Sequence, residues 1–172
     1  MKGRLALTLP GRRPPLRLRS IDAGDLEDLR AWKNAHPEAF FFKDEITPAM
    51  QKQWFEGYLS RPDDCMFIVE SGGLRAGCVA FRLEPDGVAD GYNIIASPEG
   101  RGKGLLKAAM LLLSSYVLRE RAPKLAVKVV SGNPAVGFYE GCGFSTVEVK
   151  DGYHWMFLRP DFQPAAYEKE TA

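Results

Sequence analysis

The sequence is poor in the side chains that hold metals. Its only histidines are His36 and His154, and its three cysteines, Cys65, Cys78 and Cys142, show no short metal-type spacing. A histidine-based metal site is therefore not expected. An odd cysteine count argues against a disulfide framework and suits a reducing compartment, so a cytoplasmic protein is expected. Long apolar runs are also missing. The longest, Ala108 to Leu113, is far short of the roughly 20 residues of a membrane-spanning helix. Near the start, Leu5 to Leu9 is too short for a signal core and ends at Pro10-Gly11-Arg12-Arg13. A soluble protein with no membrane association follows as the expectation.

A broad excess of positive charge is absent as well. Basic and acidic residues number 23 and 22, and residues 1–21 hold six of the basic ones and none of the acidic ones. The remainder is net acidic, which makes a nucleic-acid partner a poor fit. The apolar share of 45% and charged share of 26% over 172 residues fit one globular domain. Residues 1–14 read as a flexible basic arm, 15–160 as the domain and 161–172 as a tail.

Within the domain, Leu16 to Arg19 alternates apolar and basic residues, as a half-buried strand does. Asp22 is placed to cap a helix bearing Leu26, Leu29 and Trp32, which His36-Pro37 interrupts. Thr47-Pro48 opens a second helix carrying Met50, Trp54, Phe55 and Tyr58. Strands are expected over 66–70, 76–83 and 88–96, joined by glycine-containing hairpin turns. A long apolar helix from Leu105 to Arg119 precedes a buried strand at 125–130. A short helix beginning near Asn133 stops at Gly141-Cys142-Gly143, and a hairpin over 145–158 turns at Asp151-Gly152. The sum is an α/β domain of the α+β type, with a mixed, mostly antiparallel sheet flanked by helices.

The turn Gly100-Arg101-Gly102-Lys103-Gly104 lies between a strand and a helix. Glycines allow positive φ and close approach of a ligand, and a helix start presents unpaired amides. Together these can cradle a pyrophosphate, with Arg101, Lys103 and Lys107 adding charge. It is not a Walker loop, since Gly104 follows Gly102-Lys103. It is not a dinucleotide fingerprint either, because position 107 is Lys107.

Asn133 lies 29 residues beyond Gly104 and opens Asn133-Pro134-Ala135-Val136-Gly137-Phe138-Tyr139-Glu140-Gly141-Cys142-Gly143-Phe144. This pair of motifs, in this order and spacing, resembles the GNAT acetyltransferase family, firmly over 65–158 and more loosely over 16–60. Three positions depart from the family pattern. Glu99 stands where Arg or Gln is usual, Leu105-Leu106 follows Gly104 where another glycine is expected, and the family alanine falls at Val136.

The resemblance implies acetyl-CoA as cosubstrate with no metal, and a primary amine of a small molecule as acceptor, attacked directly. It implies cofactor binding by Ile94, Ile95 and Ala96 on a strand splayed at a bulge, by Arg101, Gly102, Lys103, Gly104, Leu105 and Leu106 at the turn, and by Asn133. Tyr139 would protonate the leaving thiolate, a role a phenol can fill. The base is left among Asp90, Tyr92, Asn93, Asp44 and Glu45, or water. Phe40, Phe41, Phe42, Trp54 and Asn93 are the acceptor-side candidates, with core packing the competing reading for the aromatics. The element Trp32-Lys33-Asn34 is similar to one in acetyltransferases of amino sugars and nucleotide-linked amino sugars, so such an acceptor is the expectation. A protein or peptide N-terminal acetyltransferase and a non-catalytic acyl-CoA-binding module are the alternatives. A homodimer is among the assemblies left open.

Overall fold

The computed structural model describes residues 2–172. Among these, nine strands form one sheet in the order β7-β8-β6-β5-β4-β3-β2-β1-β9. They are β1 (Leu5–Leu9), β2 (Leu16–Ser20), β3 (Asp64–Ser71), β4 (Leu74–Leu83), β5 (Val88–Ala96), β6 (Lys124–Val130), β7 (Phe144–Lys150), β8 (Tyr153–Leu158) and β9 (Glu168–Thr171). Every neighbouring pair is antiparallel except β5 and β6. The helices are α1 (Leu26–Asn34), α2 (Pro48–Leu59), α3 (Leu105–Glu120) and α4 (Ala135–Gly141).

Strand alternation divides the core in two. Phe67 and Val69 face the larger cluster with α3, while Met66 and Ile68 face a smaller one with Leu29, Trp32 and Tyr58 of α1 and α2. Helix α3 is apolar nearly all round because the sheet covers one side and Ala165 and Tyr167 pack on another, with Ala109, Met110, Leu112, Leu113 and Val117 fully buried. Each such large side chain contributes about 1.5–3 kcal/mol on burial. Thr47 caps α2 by accepting from Met50 N at 3.2 Å, with Pro48 in the first helical position. Asp22 caps a 3-10 turn, Ala23–Asp25, and α1 proper begins only at Leu26. Asp25 answers by accepting from Asp22 N, and Arg19 grips its buried carboxylate at 2.9 and 3.0 Å. Arg19 and the backbone amide of Asp22 hold the Asp25 carboxyl below the usual range, although burial alone would raise it.

Both ends of the chain depart from the expectation. Within the supposed flexible arm, Leu5–Leu9 forms β1 against β2, and Leu7 is fully buried. Its alternation, which is too short for a signal core, is that of a strand. Within the supposed tail, Glu168–Thr171 forms β9 against β1. That strand has no apolar face. Its backbone ladder holds it, helped by Arg17–Glu170 at 3.1 Å and by Lys169–Glu120.

Two irregularities open the middle of the sheet. Cys78 pairs with Ile95 while Ala80 pairs with Tyr92, so β5 carries one extra residue there. Asn93, in that bulge, has φ of +45°, which asparagine tolerates better than most residues. The parallel pairing of β5 with β6 runs only from Val88↔Lys124 to Gly91↔Val127. Beyond it β6 continues against β8 alone, through Lys128, Val129 and Val130. The splay of β5 that the family resemblance implies is thus present.

Candidate active site

The gap between β5 and β6 is a cleft of about 450 Å³. Ile94, Ile95 and Ala96 form one wall, Val127 to Val129 the other, and Asn133 and Tyr139 close its end. Arg101 borders it from the glycine turn, and Phe40, Phe41 and Phe42 border it from the loop between α1 and α2. A second chamber of about 240 Å³ lies between α1, α2 and the sheet, and Trp54 lines this one, not the cleft. Lys33, Phe42, Asn93 and Ile95 belong to both walls, so the two spaces adjoin there.

The glycine turn is built in two parts. Gly100 is structural: a Cβ on it would sit 2.2 Å from the Ala76 carbonyl oxygen. Gly102 and Gly104 have φ of +72° and +70°, and a Cβ on either would meet nothing within 4 Å. The turn is therefore open to a ligand where it needs to be. Gly104 is the N-cap of α3 and has no side-chain capping bond, so no side chain caps the amides at the helix head. Lys103, Leu105 and Leu106 stand at this head outside the cleft wall, and Leu105 is buried.

Tyr139 sits on α4, which starts where Asn133 Oδ1 accepts from Ala135 N at 2.9 Å. Its ring packs edge-on to Phe138 and Phe144, with centroids at 5.2 and 5.8 Å. Burial pushes its phenol above the ordinary range, so the hydroxyl keeps its proton at neutral pH.

The base candidates separate clearly. Asp44 and Glu45 are exposed and border neither space. The Tyr92 hydroxyl donates to the buried Asp64 carboxylate, which also accepts from Arg61 at 2.9 Å and Arg82 at 3.1 Å. Tyr92 is thereby committed to a structural network. The Asn93 side chain accepts from Lys33 Nζ at 3.0 Å. Asp90 lines the cleft, and burial raises its carboxyl above the usual range against the pull of Lys128.

The loop over the cleft is tied down by Asn34, whose side chain bonds both backbone groups of Ile46. Phe41 rests edge-on against Tyr153 of β8 at 4.3 Å. His36 contacts Arg101, joining the loop to the glycine turn. Phe41 and Phe42 are 57% and 45% exposed, so they are not core; Trp54 and Phe40 are half-buried at the edge of the smaller cluster.

In the sequence Lys33 figures only within the element Trp32-Lys33-Asn34, with no role of its own. One lysine on an amphipathic helix reads as a solvated charge, and only the bulge at Asn93 brings its partner into reach. No cluster of three or more His, Cys, Asp or Glu side chains placed to hold a metal occurs among the described residues. Among the described residues, no helix is long and apolar enough to cross a membrane.

Residues 26–144 match the model of the acetyltransferase (GNAT) family. No curated protein sequence matches the chain. Among solved structures, spermidine N-acetyltransferase from Vibrio cholerae in complex with CoA and spermine is similar, at 22% identity and a TM-score of 0.73, over 83% of this chain and 94% of that one. A dodecameric structure of the Vibrio cholerae enzyme in an intermediate state is similar at 21% identity and a TM-score of 0.67, over 83% and 92%. At these identities the likeness is one of fold.

Proposed function

The chain belongs to the acetyltransferase (GNAT) family, whose chemistry is acetyl-CoA-dependent N-acetylation, and from this we propose that its own residues acetylate the primary amine of a small molecule. The observation that carries the reading is the opening between β5 and β6, with Tyr139 at its end and the open glycine turn beside it.

In this reading the amides at the head of α3, with Gly102 and Gly104, take the pyrophosphate of acetyl-CoA. Arg101, Lys103, Leu105 and Leu106 flank it. The freed backbone of Ile94, Ile95 and Ala96 lies along the pantetheine arm, with Asn133 opposite. Acetyl-CoA supplies the activated acyl group as a thioester. The amine nitrogen bonds to the acetyl carbon, the carbon–sulfur bond breaks, and one amine proton leaves. Asp90 accepts that proton, directly or through water, since a raised pKa makes it the stronger base. Tyr139 donates its proton to the departing sulfur.

The acceptor enters beneath Phe40, Phe41 and Phe42. An amino sugar is one acceptor that these rings could stack on. Spermidine, named for the compared enzymes, is a poorer fit here. Among the described residues no carboxylate lines the second chamber, and Lys33 would repel a polycation.

Calorimetry with coenzyme A and a thiol-release assay with acetyl-CoA over a panel of amines test the reading. Micromolar coenzyme A binding with thiol release dependent on an amine supports it. Absence of coenzyme A binding by the folded protein overturns it.

A further inference from the structure

Among the described residues, Lys33 is the one cation in the wall of the second chamber. It is half-buried, its single hydrogen bond goes to the neutral side chain of Asn93, and among the described residues it forms no salt bridge. Its aliphatic stem and ammonium pass near the Phe40 ring, with Nζ 5.1 Å from the centroid. The rest of the wall is mostly apolar, with Leu29, Ile46, Met50, Trp54 and Met66 around it. A desolvated ammonium without a counter-charge is costly to hold. Burial accordingly draws its pKa down, and the neighbouring Cys78 thiol, itself pushed up to about 12 by burial, supplies no counter-charge at neutral pH. An anionic group brought by a ligand would offset that cost.

The position matters as much as the charge. Lys33 and Asn93 stand where the chamber meets the cleft. A molecule reacting there must send its amine toward the cleft. It has an apolar pocket on the opposite side and a cation beside the junction. A tetrahedral carbon bearing an amine, a carboxylate and an apolar side chain meets all three directions at once. We propose that the acceptor is an apolar amino acid, its side chain in the second chamber and its carboxylate on Lys33, and that Lys33 is the residue that selects it.

This proposal rests on the acetyltransferase reading above and narrows its acceptor. A charge-assisted bond in a partly desolvated site gives a preference of roughly 10-fold or more. The test measures kcat/KM for leucine against isoamylamine and for phenylalanine against phenethylamine, pairs that differ only in the carboxylate, with glucosamine and spermidine alongside. The wild-type enzyme should prefer each carboxylated member by roughly 10-fold or more. Lys33→Met should bring both ratios close to one, and Lys33→Arg should keep part of the preference. Equal use of the decarboxylated amines, or better use of glucosamine or spermidine, overturns the proposal. So does a Lys33→Met enzyme that loses all amines in proportion, because that would mark a role in the chemistry and not in selection. Should Lys33→Met fail to fold, the wild-type ratios decide. If coenzyme A binds and some other amine is acetylated, the acetyltransferase reading stands and only the amino-acid acceptor falls. If coenzyme A binds and none of these amines is acetylated, the amino-acid acceptor falls alone; if coenzyme A does not bind, both fall.

Discussion

Asn34 holds Ile46 by both of its backbone groups, accepting from its N–H at 2.8 Å and donating to its C=O at 2.9 Å. Arg30 adds a third bond to the same carbonyl at 3.0 Å. A side-chain amide thus plays the part of a strand partner and closes the loop that carries Phe40, Phe41 and Phe42. Asn34→Ala removes two bonds, each worth about 0.5–1.5 kcal/mol net. The expected result is a modest loss in denaturant stability and a raised KM for the amine. Coenzyme A affinity by calorimetry should stay near wild type, because the glycine turn is untouched.

Tyr139→Phe should lower turnover by roughly 10²-fold, the lower range for a lost acid–base catalyst. Folding should be preserved, since the ring contacts with Phe138 and Phe144 remain. The phenol's pKa is raised by burial, so it stays protonated past its usual value of about 10. A pH–rate profile should therefore show no alkaline fall from Tyr139 below about pH 10. Wild-type turnover in the Phe variant would remove the acid role.

Asp90 yields a prediction of opposite signs for activity and stability. Its pKa is raised in the folded state by burial. A group raised on folding favours the folded state at low pH, and that advantage is lost as pH rises through the folded pKa. At pH 7 the buried carboxylate is a burden, and Asp90→Asn should raise the melting temperature. The same variant should lose turnover by roughly 10²-fold and the acid limb of the pH–rate profile. That limb should lie above the ordinary carboxylate range, because the protonated acid cannot accept the amine's proton. Stabilisation without loss of rate would exclude Asp90 as the base.

The glycines of the turn should respond unequally. Gly100→Ala forces a Cβ against the Ala76 carbonyl oxygen and should cost about 1–3 kcal/mol or more. Gly102→Ala has open space and bears only the left-handed backbone penalty, about 1–2 kcal/mol. Gly104→Asp should fold, yet lose coenzyme A binding through charge repulsion at the helix head. Urea titrations and calorimetry separate the three, and unchanged coenzyme A affinity in Gly104→Asp would remove the phosphate role of the turn.

Phe42→Ala should leave stability within about 0.5 kcal/mol, as expected for an exposed site. It should raise KM for the amine, because the ring borders both the cleft and the chamber. Unfolding of this variant would return Phe42 to the core.

Much of the architecture was legible because local signals agreed with it. The bounds of β5, the turn and end of the β7–β8 hairpin and the Thr47-Pro48 start of α2 follow from turn glycines and cap chemistry. Strands β1 and β9 escape the local sequence signals for opposite reasons. Leu5 to Leu9 has the right alternation, but the surrounding Pro and Arg residues suggested an arm. Glu168 to Thr171 has no alternation at all and is a strand only because β1 offers an edge. Of the candidate site, the glycine turn and Tyr139 stand out in the sequence through motif spacing, and Tyr139 lies in the cleft wall. Lys33 does not stand out, because its meaning depends on a bulge in β5 some 60 residues away.

A sheet joined across its middle by four residue pairs has an internal boundary. Amide hydrogen exchange should see it. The N–H groups of residues 92–96 that point toward β6 should exchange much faster than those of β3 and β4, although both lie deep in the same sheet. Acetyl-CoA would then act as a missing strand, and its binding should slow exchange on β5 and β6 together. The protein would become a continuous elastic unit only while that ligand is in place, so heat and proteases should find the empty molecule by this seam.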